Sequence, residues 1–437
     1  MAQRASRNPP VVLNSTRITV KLHASPATKL RATFRYLSAA SLLTAAAAAR
    51  SQSLDSRPVA EVFGKPFSRL LDEIVTSTDS TTTQALTERL HSMLRAYGRA
   101  VVEDSTVYFV YFGTARRVGV PGDMNGWNPR ADTMRRVAGT NFFYLSKQFP
   151  LAARLEYKLM VDSVWMLDPL NRQQAIGGYG PNSEVWMPLY RPPSGIEYRA
   201  HIPHGRLDSL SVKSRLLKRT HPVFVYVPPR DTARRQQISP VLYVNDGGEY
   251  IALALMTNVL DNLIADQRIP PLVVVFIDPR TDVRDASTSK RMTDYTMSDT
   301  YVRFLVEELR PLILRRYRVD HRSQQTGIMG ASLGGLLATY AALVRSDVFG
   351  LCAAQSPSYW FKNNAIMTIA ANTPLRDVKF WLDTGTIHDA QEATSIMRSL
   401  LQQKGYAVHY EEVPEGHHWG NWRARISHIL EYFWGKE

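Results

Sequence analysis

The order of hydrophobic and polar positions changes character along the chain. Residues 59–100 repeat apolar positions with a helical period, interrupted by a Ser/Thr-rich stretch at 76–83, and this predicts two helices. From residue 105 the apolar positions alternate as in strands, in short segments separated by Gly, Asn and Pro turns. These segments are 106–112, 118–121, 142–149 and 155–161. The pattern predicts a helical brace over residues 51–104 and a small β-sandwich over residues 105–190.

A third pattern begins near Gly195, where buried strand segments alternate with helical ones. The predicted strands are 223–227, 240–245, 272–277, 327–329, the start of 351–361, 378–382 and 407–413. The predicted helices are 253–265, 301–316, 333–343 and 391–404. Alternation of this kind predicts an α/β domain over residues 195–437, with a mostly parallel sheet covered on both faces.

The segment between one predicted strand and the next helix reads Gly330-Ala331-Ser332-Leu333-Gly334. It matches the G-x-S-x-G nucleophile elbow, in which a serine sits on a sharp strand-to-helix turn with its hydroxyl exposed. So short a pattern also occurs in ordinary loops, but here the strand and the helix stand on the expected sides. We therefore predict that Ser332 is a nucleophile.

A serine nucleophile needs a base and an acid, and both follow it in the sequence. His417 comes after the last predicted strand, and we assign the base to it. We therefore expect Ser332 Oγ to lie within hydrogen-bonding reach of His417. Asp389 lies in the loop beyond the preceding strand, and we prefer it as the acid over Asp383, which still belongs to that strand. The order serine, acid, histidine is that of the α/β-hydrolase fold. A metal site at the pair His417 and His418 is disfavoured, because adjacent histidines point apart and lack further ligands at suitable spacing.

Ester hydrolysis also needs N–H donors for the negatively charged oxygen that forms at the carbonyl. The backbone N–H of Leu333, next to the nucleophile, is the first candidate. Gly247 or Gly248, at the end of the strand 240–245, is the second. An ordinary glycine turn is the alternative interpretation of this pair.

Composition and charge bear on nucleic-acid binding, targeting, disulfides and cofactors. A net charge of +14 would suggest nucleic-acid binding if it were spread over the fold. Residues 1–50, however, hold eight Lys/Arg and no Asp/Glu, so the rest of the chain has 45 basic and 39 acidic residues. The excess charge lies mostly in the N-terminal segment and does not indicate nucleic-acid binding. Basic residues ahead of the apolar run 36–49 predict a signal peptide and an exported protein, with an organellar transit peptide as the alternative. The run is too short to span a bilayer. Cys352 is the single cysteine, so no disulfide forms within the chain. No cofactor motif is present.

From about Ser105 onward the chain resembles the enterochelin esterase family of esterase D-like α/β-hydrolases, including an early-set immunoglobulin-like domain in front. The segments that carry the resemblance are 121–129, 155–158 and 165–169 in front, and 246–247, 269–271, 273–278, 304–311, 330–335, 355–360, 416–417 and 422–423 in the hydrolase region. Position by position, the family's nucleophile and histidine fall on Ser332 and His417. The family's Gly-Gly-His before Asp or Asn is here Glu415-Gly416-His417-His418, and the acid loop is one residue longer than in some relatives.

The resemblance implies hydrolysis of a carboxylic ester through an acyl-enzyme. The family's namesakes act on an anionic ferric catecholate trilactone, which cationic side chains such as Arg284 and Arg291 would suit. A solvated charged loop is the alternative interpretation of these arginines. Tyr359 and Trp360 are further candidates for substrate contact. Related proteins remove feruloyl or acetyl groups from plant polysaccharides or transfer acyl groups to sugars. Trp127 and Trp165 would stack on sugar rings if the front domain bound a glycan, although a turn with a packed tryptophan is the simpler interpretation. A binding protein on a hydrolase scaffold is the non-enzymatic alternative.

Overall fold

The computed structural model describes residues 59–229 and 238–436. The predicted leader, with its signal peptide, lies outside these residues. Within them, no helix combines the length and the apolar character needed to cross a membrane.

From residue 59 on, where the description begins, the predicted brace contains three helices instead of two: α1 (Val59–Phe63), α2 (Phe67–Thr76) and α3 (Ser80–Tyr97). Pro66 precedes α2, and since proline favours the start of a helix over its interior, it separates α1 from α2. Asp79 caps α3 by accepting a 2.7 Å hydrogen bond from the Thr82 N–H. The apolar faces of the helices cover the outer side of the neighbouring β-sheet.

The β-sandwich consists of ten short strands. They are β1 (Val101–Glu103), β2 (Thr106–Phe112), β3 (Val118–Gly119), β4 (Arg135–Arg136), β5 (Phe142–Gln148), β6 (Arg154–Tyr157), β7 (Leu159–Val161), β8 (Val164–Met166), β9 (Gln174–Gly177) and β10 (Gly180–Trp186). One sheet has the order β1-β2-β5-β4 and packs on the sheets β6-β10-β9 and β3-β7-β8. The predicted strand 155–161 is divided at Lys158, whose N–H donates to Pro121 O, so that its halves join different sheets.

The large sheet has eight strands in the order β11-β12-β14-β13-β15-β16-β17-β18. They are β11 (Arg206–Ser214), β12 (Arg219–Val227), β13 (Val241–Asn245), β14 (Val273–Ile277), β15 (Thr326–Ala331), β16 (Leu351–Gln355), β17 (Lys379–Gly385) and β18 (Ala407–Val413). β11 and β12 are antiparallel, and β13 to β18 are mutually parallel. The prediction of a mostly parallel sheet is confirmed.

Helices cover both faces of this sheet. They are α4 (Gly247–Ala252), α5 (Met256–Ala265), α6 (Arg291–Asp294), α7 (Asp299–Arg303), α8 (Arg310–Arg316), α9 (Leu333–Val344), α10 (Phe361–Asn372), α11 (Gln391–Gln403) and α12 (Trp419–Trp434). One face packs on α4, α5 and α12, and the other packs on α7 to α11. A π-helical turn, Phe304–Leu309, joins α7 to α8 where one continuous helix was predicted. Pro311 stands at the start of α8, where its missing N–H disturbs the regular hydrogen-bond pattern.

Candidate active site

The three predicted catalytic residues follow neighbouring strands of the large sheet. Ser332 lies between β15 and α9, Asp389 follows β17, and His417 follows β18. Because β15 to β18 are parallel and adjacent, their carboxyl ends meet at one edge. This is the edge at which α/β sheets place their ligands.

Ser332 occupies a strained turn. Its φ of 57° and ψ of −120° lie outside the regions that a residue with a side chain normally adopts. The glycine at position 330 makes this turn possible, since a Cβ there would lie 2.5 Å from the carbonyl carbon of Gly334. The Ser332 N–H donates to Gln355 O at 2.8 Å and fastens the turn to β16. Strain of this kind is typical of residues held in place for function.

Asp389 and His417 are in direct contact. The distance from His417 Nδ1 to Asp389 Oδ1 is 2.6 Å, and the Asp389 carboxylate is fully buried while the imidazole is 39% exposed. The other carboxylate oxygen accepts hydrogen bonds from Ser356 Oγ and from the Gly385 N–H, both at 2.6 Å. Burial raises the pKa of Asp389, but the hydrogen bonds from His417, Ser356 and Gly385 outweigh it, and the pKa lies below its ordinary value. The carboxylate is therefore ionised and fixes the ring through Nδ1.

Asp383, the alternative acid, has a different environment. Its Oδ2 accepts hydrogen bonds from Trp381 Nε1 (2.7 Å) and Gln355 Nε2 (3.3 Å), and its Oδ1 has no partner among the described residues. Burial raises its pKa to about 7. Of the two carboxylates, Asp389 is the one that contacts His417.

The hydroxyl of Ser332 forms a hydrogen bond with Ser358 Oγ at 3.1 Å. Over residues 59–229 and 238–436, no hydrogen bond joins Ser332 to His417, and Nε2 of His417 makes none. The sequence predicted that the serine and the histidine would be within hydrogen-bonding reach, and it did not identify Ser358. The available signal was its position, because Ser356 and Ser358 both follow β16 at the same edge of the sheet.

The predicted oxyanion donors Gly247 and Gly248 begin α4, directly after β13. This strand end is tied to the elbow by two contacts. Asn245 Nδ2 donates to Gly334 O at 3.2 Å, and Arg291 bonds both the Asp246 carboxylate (2.9 Å) and Ala331 O (3.0 Å). The first turn of a helix has N–H groups without intrahelical acceptors, and Leu333 holds the same position in α9.

The four predicted substrate-contact residues have different environments. Arg291 bridges Asp246 and Ala331, and Arg284 pairs with Asp282 at 3.1 Å on the surface. Tyr359 is fully buried and its hydroxyl bonds Thr339 Oγ1 at 2.6 Å, so its expected contact with substrate is wrong. Trp360 is 62% exposed, two residues beyond Ser358.

The two tryptophans of the β-sandwich also differ. Trp127 is half-buried, and its Nε1 donates to Asp123 Oδ1 at 3.2 Å, as in a packed turn. Trp165 lies in β8 and is 45% exposed. In the part of the chain that the structure describes, no three His, Cys, Asp or Glu side chains are grouped so as to hold a metal ion.

Comparison with known families adds the reaction class. The family Esterase, with the description "Putative esterase", matches residues 214–433, half of the chain. The chain belongs to this family. It is thus an esterase, and among its relatives are hydrolases of carboxylic esters.

Two curated relatives show how similar this esterase is to other proteins. It is 28% identical to the iron(III) enterobactin esterase of Escherichia coli K12 over 262 residues, which cover 54% of this chain and 62% of the relative. It is 27% identical to the uncharacterized protein YbbA of Bacillus subtilis over 234 residues, which cover 48% of this chain and 92% of that protein.

The fold is shared with solved structures. The enterobactin esterase of Shigella flexneri superimposes on the esterase with a TM-score of 0.64, at 22% identity, over 75% of this chain and 92% of the other. At this identity the likeness establishes the fold alone.

Proposed function

We propose that the esterase cleaves carboxylic esters by a serine mechanism in which Ser332 is the nucleophile, His417 the base and Asp389 the orienting acid. The observation that carries the proposal is the 2.6 Å contact from the buried Asp389 carboxylate to His417 Nδ1, at the strand end next to the strained Ser332 turn. Asp389 keeps the proton of His417 on Nδ1, which leaves Nε2 able to accept one from Ser332.

In this mechanism the Ser332 hydroxyl breaks its hydrogen bond with Ser358 and turns toward His417. It transfers its proton to His417 Nε2 as Oγ attacks the carbonyl carbon. The oxygen of the tetrahedral intermediate accepts hydrogen bonds from the Leu333 N–H and from Gly247 or Gly248. Collapse breaks the ester bond, and His417 protonates the departing alcohol. Water, deprotonated by the same histidine, then releases the acid and regenerates Ser332.

The substrate class that the relatives favour is a ferric catecholate trilactone, because two enterobactin esterases align with this chain over more than half of its length. The arginines expected to meet such an anion, Arg284 and Arg291, are engaged by Asp282 and Asp246, so charge attraction by these two residues is not part of the proposal.

A feruloyl or acetyl polysaccharide esterase is the second candidate. It is favoured by the 28% identity, over 162 residues, with an endo-1,4-beta-xylanase/feruloyl esterase of Xylanibacter ruminicola, and by the exposed Trp360 near Ser358, which could stack on an aromatic acyl group. Acyl transfer to a sugar would use the same acyl-enzyme. Export is also part of the proposal, on the basis of the leader sequence.

The test is hydrolysis by the full chain and by Ser332→Ala of p-nitrophenyl acetate, a ferric catecholate trilactone, and feruloylated and acetylated xylo-oligosaccharides. We expect Ser332→Ala to lose at least about 10⁴-fold in kcat. The matched control is Ser358→Ala, which removes the neighbouring hydroxyl and should stay within about tenfold of the wild type. The preferred substrate decides between the two candidate classes.

Labelling with a phosphonofluoridate gives a second readout, since it should modify Ser332 and no other residue. Activity that survives in Ser332→Ala would refute the serine mechanism. A folded wild type that hydrolyses none of the esters and binds glycans would favour the non-catalytic binding protein.

A further inference from the structure

A cluster of buried charged side chains lies between the β-sandwich and the loop that carries His417. We call it the junction cluster. Its members are Asp123, Arg154, Glu156 and Glu184 of the β-sandwich, and Glu415 and His418 of the catalytic region. Arg154 is 2% exposed, and its Nη2 lies 3.0 Å from Glu156 Oε1 and 2.5 Å from Glu184 Oε2. Its Nη1 lies 3.7 Å from Glu415 Oε2.

His418 connects this cluster to the catalytic histidine beside it in the sequence. Its Nε2 lies 3.2 Å from Asp123 Oδ2, and its Nδ1 lies 3.5 Å from Glu156 Oε1. His418 as a whole is 7% exposed. His417 thus belongs to a loop whose next side chain is enclosed by carboxylates of another domain.

Charged groups of both signs and backbone N–H donors surround the His418 ring. Burial and the Arg154 cation lower the pKa of His418, but the Asp123 and Glu156 carboxylates raise it by more, and the pKa lies at about 9. The Asn421 N–H also lies 3.1 Å from Nδ1, a hydrogen bond that only the neutral ring could accept. Two more donors face the ring, Arg154 Nη1 at 3.3 Å from Nδ1 and the Gly416 N–H at 3.3 Å from Nε2. His418 therefore joins Arg154 to Asp123 directly, in either protonation state.

Further contacts hold both catalytic loops against the β-sandwich. The Arg154 N–H donates to Pro414 O at 3.2 Å, just before the histidine loop. Ile387, in the loop that carries Asp389, packs on the apolar core of the β-sandwich. The acid and the base are therefore both supported from the same side.

Stability alone does not account for the junction cluster. Charges are costly to bury, and a well-packed apolar junction of similar volume is often as stable or more so. What ion pairs and hydrogen bonds add is a defined distance and direction between the two domains. A catalytic base must be held in a fixed position, because a displacement of about 1 Å can lower the rate of the reaction about 100-fold.

We propose that the junction cluster positions His417, with Asp123 and Arg154 acting as positioning residues of the esterase through His418. This inference rests on the proposed function, because it takes His417 as the base. The β-sandwich is then part of the catalytic apparatus, whether or not it also binds a glycan.

The test compares Asp123→Asn, Arg154→Met and Arg154→Lys in the full chain. We expect Asp123→Asn and Arg154→Met to lower kcat about 10- to 100-fold with KM within about threefold. Arg154→Lys, which keeps a cation, should recover part of the loss. The matched control is Asp168→Asn, a buried carboxylate that bonds Tyr157 within the β-sandwich and has no contact with the histidine loop.

A second readout does not depend on turnover. The short His417–Asp389 hydrogen bond should give a downfield proton resonance, absent in Asp389→Asn, that weakens or shifts in Asp123→Asn and persists in Asp168→Asn. Unchanged kcat and an unchanged resonance in Asp123→Asn would overturn the proposal, as would an equal loss in Asp168→Asn. If Ser332→Ala remained active, the serine mechanism would fail, while the resonance would still decide whether the cluster positions His417.

Discussion

Replacing Gly420 with alanine separates two opposite expectations for the stability of the esterase. Gly420 lies in the first turn of α12, where helix propensity alone favours alanine by about 1 kcal/mol. A Cβ at this position would stand 2.1 Å from Arg154 Nη1 and 2.4 Å from its Cζ. These distances are far shorter than van der Waals contacts, so the guanidinium or the helix must move.

The expected loss of stability follows from the two buried ion pairs that Arg154 forms. Displacing the guanidinium separates it from Glu156 and Glu184, and breaking a buried ion pair costs about 3–5 kcal/mol. After subtraction of the gain in propensity, we expect Gly420→Ala to lower the free energy of unfolding by about 3 kcal/mol.

The assay is equilibrium unfolding in urea, followed by tryptophan fluorescence. Gly178→Ala is the matched control at the same junction, because its Cβ would meet Trp419 Nε1 at an ordinary 3.6 Å, and we expect a change within about 0.5 kcal/mol. A Gly420→Ala protein as stable as the wild type, or more stable, would refute the assignment of Arg154 to a tightly packed cluster.

Two further predictions concern the carboxylates near the site. Asp389→Asn should lower kcat about 10⁴-fold, because an amide neither holds the ring in the correct tautomer nor stabilises its protonated form; Asp383→Asn should stay within about tenfold, and an equal loss in both would contradict the choice of acid. Asp383→Asn also tests the raised pKa of about 7. The folded protein binds the Asp383 proton more tightly than the unfolded chain does. Asp383 therefore contributes to the free energy of unfolding in full below about pH 4, and up to about 4 kcal/mol of that contribution is lost as the pH rises to about 7. Urea unfolding between pH 4 and 8 should show a smaller decline in Asp383→Asn, and parallel curves would count against the raised pKa.

Much of the fold was predictable because its signals are local. Buried parallel strands are continuous apolar runs, and the serine turn has glycine where a side chain would collide, as at Gly330. Strand β11 was missed because it lies at the edge of the sheet and is mostly exposed, which leaves no apolar run. Helix α12 was not predicted because Gly420 and Asn421, in its first turn, resemble a loop in sequence.

The environment of single side chains was harder to predict. Tyr359 and Trp360 are adjacent and both aromatic, yet one is fully buried and the other is 62% exposed, a difference set by the direction of the chain after β16. Arg291 has the charge to bind an anion, but its guanidinium is already paired with the Asp246 carboxylate. The junction cluster has no local signal, since its members become neighbours only when two domains meet.

The junction cluster has a consequence for the order of synthesis. Arg154 and His418 are 264 residues apart in the chain. On the ribosome the β-sandwich emerges first, and Asp123 must remain solvated until the segment with His418 arrives. The contacts of His418 with Asp123 and Arg154 therefore form late, and contacts of such high sequence separation are slow to form. If the junction cluster positions His417 as proposed, a nascent chain of this esterase would not reach full activity until these contacts have formed.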